Sequence, residues 1–170
     1  MALRPIKNCF DPVLRKQCEI VKNIDGELIT LSNDMIETTL AAPGIGLAAN
    51  QVGVPWRVFV VNMGVETDTD NLITLINPEI TAMEGSESGE EGCLSIPDVV
   101  VEVNRAIQIE IKAVDLNGKD IRYEASGILA RALQHEMDHL NGILFWDSLG
   151  KIKRDILKRK FKKKLKEQEE

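Results

Sequence analysis

The stretch SGILARALQHEMDHLNG, residues 126–142, carries a helical pattern and a chemical one in the same positions. Ile128, Leu129, Leu133, Met137 and Leu140 recur at helical intervals and Gly142 marks a stop, which predicts a helix from Ser126 to about Asn141. On that helix His135 and His139 lie one turn apart on one face, with Glu136 beside them, so both imidazoles can point at one ion. Two solvated histidines on a surface helix would read the same way. Against that reading, these are the two histidines of a 170-residue chain, and they fall together where the apolar stripe independently says helix.

A catalytic metal site normally takes three protein ligands and leaves one position open. The candidate for the third is Cys93 in EEGCLSIP (90–97), where Gly92 allows an unusual backbone path and a thiolate is a strong ligand for zinc or ferrous iron. A free cysteine is also commonly a small buried hydrophobe, and Cys9 and Cys18, each among apolar neighbours, read that way. A third segment, APGIGLAANQVG (42–53), follows a helix and brackets Ile45 between two glycines. It suits either a tight turn or a backbone that approaches a ligand as an edge strand would.

Outward from these segments, DPVLRKQCEIV (11–21) opens as a short helix, and Leu28, Leu31, Met35, Ile36 and Leu40 predict an amphipathic helix over about 27–42, ended by Pro43-Gly44. Residues 56–63, 71–80, 99–103 and 106–116 are rich in β-branched residues and predict strands, with Asn117-Gly118 as a hairpin turn. EGSESGEE (84–91) reads as a solvated acidic loop. No linker divides the chain. Residues 1–150 are expected to form a single catalytic domain, and 151–170 a basic C-terminal helix attached to it.

Hydrophobic residues make up 44% and charged residues 28% of the chain, a soluble globular balance. No apolar run reaches the roughly 20 residues of a membrane span, the N-terminal segment lacks a signal-like hydrophobic stretch, and three irregularly spaced cysteines suggest no disulfide framework. A reducing cytoplasm fits best. The net charge of −6 hides an asymmetry: residues 151–170 hold ten Lys/Arg against four Asp/Glu, a net +6, leaving −12 on the rest. In that tail Ile152, Ile156, Leu157, Phe161 and Leu165 fall at helical intervals, predicting an apolar stripe docked on the body under a positive outer surface.

GIGLAANQ, EEGCLS and QHEMDH, in this order and at these spacings, resemble the three signature motifs of the peptide deformylases. Asp11-Pro12-Val13-Leu14-Arg15, Ile76-Asn77-Pro78 and Gly142 with Leu144-Phe145 extend the resemblance over nearly the whole chain. The resemblance implies a metal-dependent hydrolase that removes the formyl group from the N-terminal formyl-methionine of new proteins and releases formate. It implies an α+β fold in which antiparallel sheets pack around a metal-binding helix. Cys93, His135 and His139 would bind one divalent ion, Fe(II) in the cell, with Zn, Ni or Co able to replace it in purified protein. Glu136 would be the general acid/base, and Gln51 with the Leu94 N–H would stabilise the oxyanion. Ile45 and Gly46 would pair with the extended substrate, and Ile128 and Ala132, with His135, would line the methionine pocket. The partners implied are N-formylmethionyl nascent peptides and, through the basic tail, the ribosome. Val100 stands about where some relatives carry a peptide-holding arginine, and Asn50 occupies a variable position to which no role attaches. Two other readings remain: an H-E-x-x-H zinc peptidase with a downstream acid as third ligand, and a structural zinc closed by Cys9 or Cys18.

Overall fold

Two aspartates start the helical segments of the N-terminal region. Asp11 accepts from the Val13 N–H and opens a 3-10 turn at Pro12–Arg15; Asp25 accepts from the Leu28 N–H and opens helix α1 (Gly26–Ala41). In this computed structural model, which describes residues 2–65 and 70–169, the chain continues through β1 (Gly46–Ala48), β2 (Val58–Asn62), β3 (Leu72–Glu84), β4 (Glu87–Cys93) and β5 (Ile96–Arg105). Strands β6 (Gln108–Val114) and β7 (Asp120–Ser126), then helices α2 (Gly127–Leu140) and α3 (Lys151–Gln168), complete it. β1-β2-β3-β6-β7 form one antiparallel sheet, and β4-β5 form a separate hairpin.

Strand β2 shows why helices cover both faces of the sheet. Its side chains alternate, and both alternating sets are apolar. Phe59 and Val61 pack with Leu133, Met137 and Leu140 of α2, while Val58 and Val60 pack with Leu28, Leu31 and Met35 of α1. Burying each such side chain is worth roughly 1.5–3 kcal/mol, so α2 is held against the sheet by its apolar stripe. The stripe's opposite face, with Arg131 and His135, is left to meet the β4-β5 hairpin. At the C-terminal end of α2, Gly142 has φ +74, its N–H bonds the His139 carbonyl, and the Ile143 N–H bonds the Asp138 carbonyl. This Schellman arrangement needs the left-handed residue that glycine adopts at least cost.

Two expectations change. The acidic segment 84–91 is not a loop: it ends β3 and supplies most of β4, paired residue by residue with β5. A polar run can be a strand here because its one inward carboxylate, Glu91, finds buried cationic partners, whereas Glu87 and Glu90 face solvent. In α3, Leu157, Phe161 and Leu165 pack with Trp146 and the β5 side chains Ile96 and Val101, but Ile152 and Ile156 are 79% and 46% exposed. The helix therefore docks through Leu157, Phe161 and Leu165, and the apolar side chains nearer its start are left to solvent. No described helix is long and apolar enough to cross a membrane.

Candidate metal centre and active-site cavity

The three candidate ligands come from two elements that the fold brings face to face. His135 and His139 project from α2, and Cys93 ends β4, so Leu94 and Ser95 form the two-residue turn into β5. Their donor atoms lie within 4.8 Å of one another. His139 Nε2 stands 3.1 Å from His135 Nε2 and 3.4 Å from Cys93 Sγ. Two imidazole nitrogens and a sulfur at these separations fit the edge lengths of a tetrahedral site for a dication. The remaining ring nitrogen of His135 makes the same point: Nδ1–H donates to Glu91 Oε1 at 2.9 Å, which fixes the ring with Nε2 facing its partners.

Cys93 and His135 line a cavity of about 600 Å³, and His139 is buried beside them. Gln51, Leu94, Glu136, Ile45, Gly46, Ile128 and Ala132 all line it, so every residue singled out in the sequence for catalysis or substrate binding faces one space. Gln51 Oε1 accepts from the Ala48 N–H at 2.9 Å, and this orients Nε2 toward Ser95 Oγ at 3.0 Å and Cys93 Sγ at 3.8 Å. Glu136 is 4% exposed and lies against Gly46: a β-carbon added at Gly46 would sit 3.0 Å from Glu136 Cγ and 3.0 Å from the Val60 carbonyl oxygen. That close approach is why glycine is needed there. The Ile45 carbonyl accepts from the Asn62 N–H, and by the alternation of an antiparallel pair Gly46 turns its backbone groups to the open edge of β1.

Sequence reasoning missed a buried ionic network behind the ligands. Glu91 accepts from Arg105 Nε and Nη2, from Arg131 Nη1 and from His135 Nδ1, and Arg105 continues to Asp138 at 2.5 Å. Asn50, to which no role attached, donates through Nδ2 to the His139 carbonyl at 2.6 Å and ties β1's exit to α2. Glu91 lies inside a quoted motif, but nothing local distinguishes it from Glu90. Arg105 becomes its neighbour only through the register of β4 on β5.

The electrostatics follow from burial. Burial raises the Glu136 carboxyl to about 7, with the His135 charge acting against the rise. Burial opposes a charge on His135, but Cys93, Glu91 and the nearby Glu136 outweigh it and hold the imidazole up to about 10. His139, buried and beside that charge, is held well below its ordinary value. Burial works against the Glu91 charge, yet hydrogen bonds from Arg105 and His135 bring it down to about 2.

These shifts set the stability of the metal-free protein. A group whose pKa is raised on folding stabilises below its unfolded value and loses that contribution as pH rises: between 4.5 and about 7 for Glu136, and between 6.5 and about 10 for His135. Glu91 acts oppositely and only at low pH, from 4.5 down to about 2. His139, held low, also acts oppositely and gains stability as pH rises toward 6.5, offsetting Glu136 there, so chelator-treated protein should show a Tm that declines from near-neutral to alkaline pH. A Tm that is flat or rising from neutral to alkaline pH would contradict these assignments.

The alternative centres do not assemble. Among the described residues Cys9 and Cys18 stand outside the ligand group and are buried in separate apolar clusters, so neither closes a structural zinc shell. Asp147, a downstream acid, is committed to Arg15 and to the Leu144 N–H.

Residues 3–155 match the family model described as polypeptide deformylase. The chain is 49% identical to a peptide deformylase of Thermodesulfovibrio yellowstonii over 164 residues, 96% of this chain and 99% of that one. It is 49% identical to one of Syntrophobacter fumaroxidans, covering 98% of each chain. Among solved structures, the peptide deformylase of Legionella pneumophila superposes with a TM-score of 0.92 at 42% identity over 98% of both chains. That of Ehrlichia chaffeensis in complex with actinonin superposes with a TM-score of 0.91 at 38% identity, covering 96% of this chain and 98% of that chain.

Proposed function

The chain belongs to the polypeptide deformylase family, and from that premise we propose that the cavity over Cys93, His135 and His139 is where it removes the formyl group from the N-terminal formyl-methionine of newly synthesised proteins, releasing formate. The observation that carries this reading is the buried Glu136 carboxylate, raised to about 7, in the same cavity as an oriented amide and two members, Cys93 and His135, of a group of three metal-capable donors.

Cys93, His135 and His139 hold the ion, Fe(II) in the cell, with Zn, Ni or Co as substitutes in purified protein. A bound dication there supplies Lewis acidity, bringing the pKa of water near neutrality and offsetting charge on the formyl oxygen. Glu136 takes the proton of the attacking water and passes it to the departing amine nitrogen, a task suited to a carboxyl that titrates near the working pH. As the formyl carbon becomes tetrahedral, the Gln51 amide, held by Ala48 and Ser95, and the Leu94 N–H donate to the oxygen; one such donor typically contributes about 3–4 kcal/mol. Gly46 offers the open edge of β1 to the extended peptide, Ile45 walls it, and Ile128 and Ala132 with His135 accept the methionine side chain. Release of formate from a formyl-Met peptide tests the reading. A metal-loaded protein that releases none would refute it.

The setting is cytoplasmic, and the basic face of α3 docks on ribosomal RNA. Lys158 lies over the Trp146 ring and Lys164 pairs with Asp98, while Ile152 and its neighbours stand away from the body. Phosphate contacts of this kind weaken steeply with salt. Deleting residues 151–170 should therefore reduce salt-sensitive co-sedimentation with ribosomes. Because Phe161 is a buried anchor, it should also lower Tm while leaving hydrolysis of a short peptide measurable. Equal ribosome binding by truncated and full-length protein at low salt would exclude this role.

A further inference from the structure

The β4-β5 hairpin that carries Cys93 shares no ladder with the five-stranded sheet, so its placement against α2 rests on side-chain contacts. Arg131, one turn before His135 on α2, makes several of them at once. Its Nη1 donates to Glu91 Oε2 at 2.8 Å and to the Val103 carbonyl at 2.8 Å, with the Gly89 carbonyl at 3.5 Å, and its Nη2 donates to the Glu87 carbonyl at 2.9 Å. One guanidinium thus grips both strands of the hairpin. The backbone lies directly on it: a β-carbon added at Gly89 would fall 3.0 Å from Arg131 Cζ. Glu91, two residues before Cys93, takes Arg131 on one oxygen and His135 on the other. With its donors engaged in this way, Arg131 faces the cavity without offering a free charge to the substrate.

We propose that Arg131 is a positioning residue for the metal centre, clamping the Cys93 hairpin to the histidine helix so that sulfur and nitrogen ligands stand assembled before the ion arrives. The inference rests on reading Cys93, His135 and His139 as the metal centre. The planar fork is essential: strand carbonyls and a carboxylate lie around one rigid group, and a lysine ammonium, a point charge at the end of a flexible stem, cannot reach them together. Ligands left unsupported must be gathered by the metal itself, which weakens binding and disorders the sulfur ligand in particular.

The test uses the full-length protein, stripped by chelator and reloaded with Co(II), comparing wild type, Arg131→Lys and Arg131→Met. Both variants should lose roughly 10–100-fold in Co(II) affinity, the loss typical of an outer-shell partner, and show a weakened sulfur-to-cobalt charge-transfer band. Arg131→Lys keeps the charge and most of the stem, so it should still fold and carry the test if Arg131→Met does not, with the metal-free Tm of each variant measured alongside. A purely structural role would lower Tm and leave affinity and band unchanged. Wild-type affinity and spectrum in both variants would overturn the proposal. A Cys93→Ala control that keeps the sulfur band would instead overturn the metal-centre reading beneath it.

Discussion

Glu136→Gln is expected to lower kcat/KM for a formyl-Met peptide by roughly 10³-fold, within the range removed with a general acid/base, while the protein keeps its metal. The substitution is close to isosteric, which matters because the Glu136 side chain is buried close against Gly46. An amide there can neither accept the proton of water nor hand it to the leaving nitrogen. The buried carboxylate also predicts the shape of the loss. Wild-type activity should fall on the acidic side as Glu136 protonates, and that limb should vanish from the residual activity of the variant. Formate release measured alongside metal content decides the matter: activity within tenfold of wild type at unchanged metal content would remove Glu136 from the proton-transfer role.

Cys93→Ala should abolish activity by a different route, through loss of the ion. Two imidazoles on one helix form only an edge of the site, and the sulfur at the end of β4 supplies the third donor from outside the helix. Its loss should exceed the roughly 10–100-fold typical of outer-shell partners, so that the variant purifies with little bound metal and excess metal does not restore it. The fold should survive, because Cys93 sits at the edge of its apolar cluster and the β4-β5 ladder does not depend on its side chain. Metal analysis and the Tm of the metal-free form separate the cases. Stoichiometric metal in Cys93→Ala would mean that sulfur is not a ligand.

Much of this arrangement was legible one element at a time. The stripe on α2, the Asn117-Gly118 turn, the Pro43-Gly44 stop after α1 and the apolar β2 each announce themselves within a dozen residues, because helix and strand periodicities and turn chemistry are local properties of the chain. The segment from Glu84 to Glu91 misled because its composition is that of a loop. Its strand character comes from a partner strand and from two arginines that are distant in sequence. The tail misled in part because periodicity shows which residues share a face, and only docking shows how far along the helix that face is covered.

The sequence by itself determined the chemistry available to this protein: two histidines and a glutamate one turn apart on a helix, a thiolate after a glycine, a glycine-flanked edge before a glutamine, and a basic tail on an acidic body. Those are consequences of residue identity and short-range spacing. Only the tertiary structure decided that Cys93, His135 and His139 meet within 4.8 Å and that Glu136 is buried enough to hold its proton up to about 7. It also decided that Glu91, Arg105 and Arg131 form the frame behind the ligands. Such contacts depend on strand register and on how a separate hairpin packs against α2, and distances and desolvation are set by groups far apart along the chain, which no local pattern encodes.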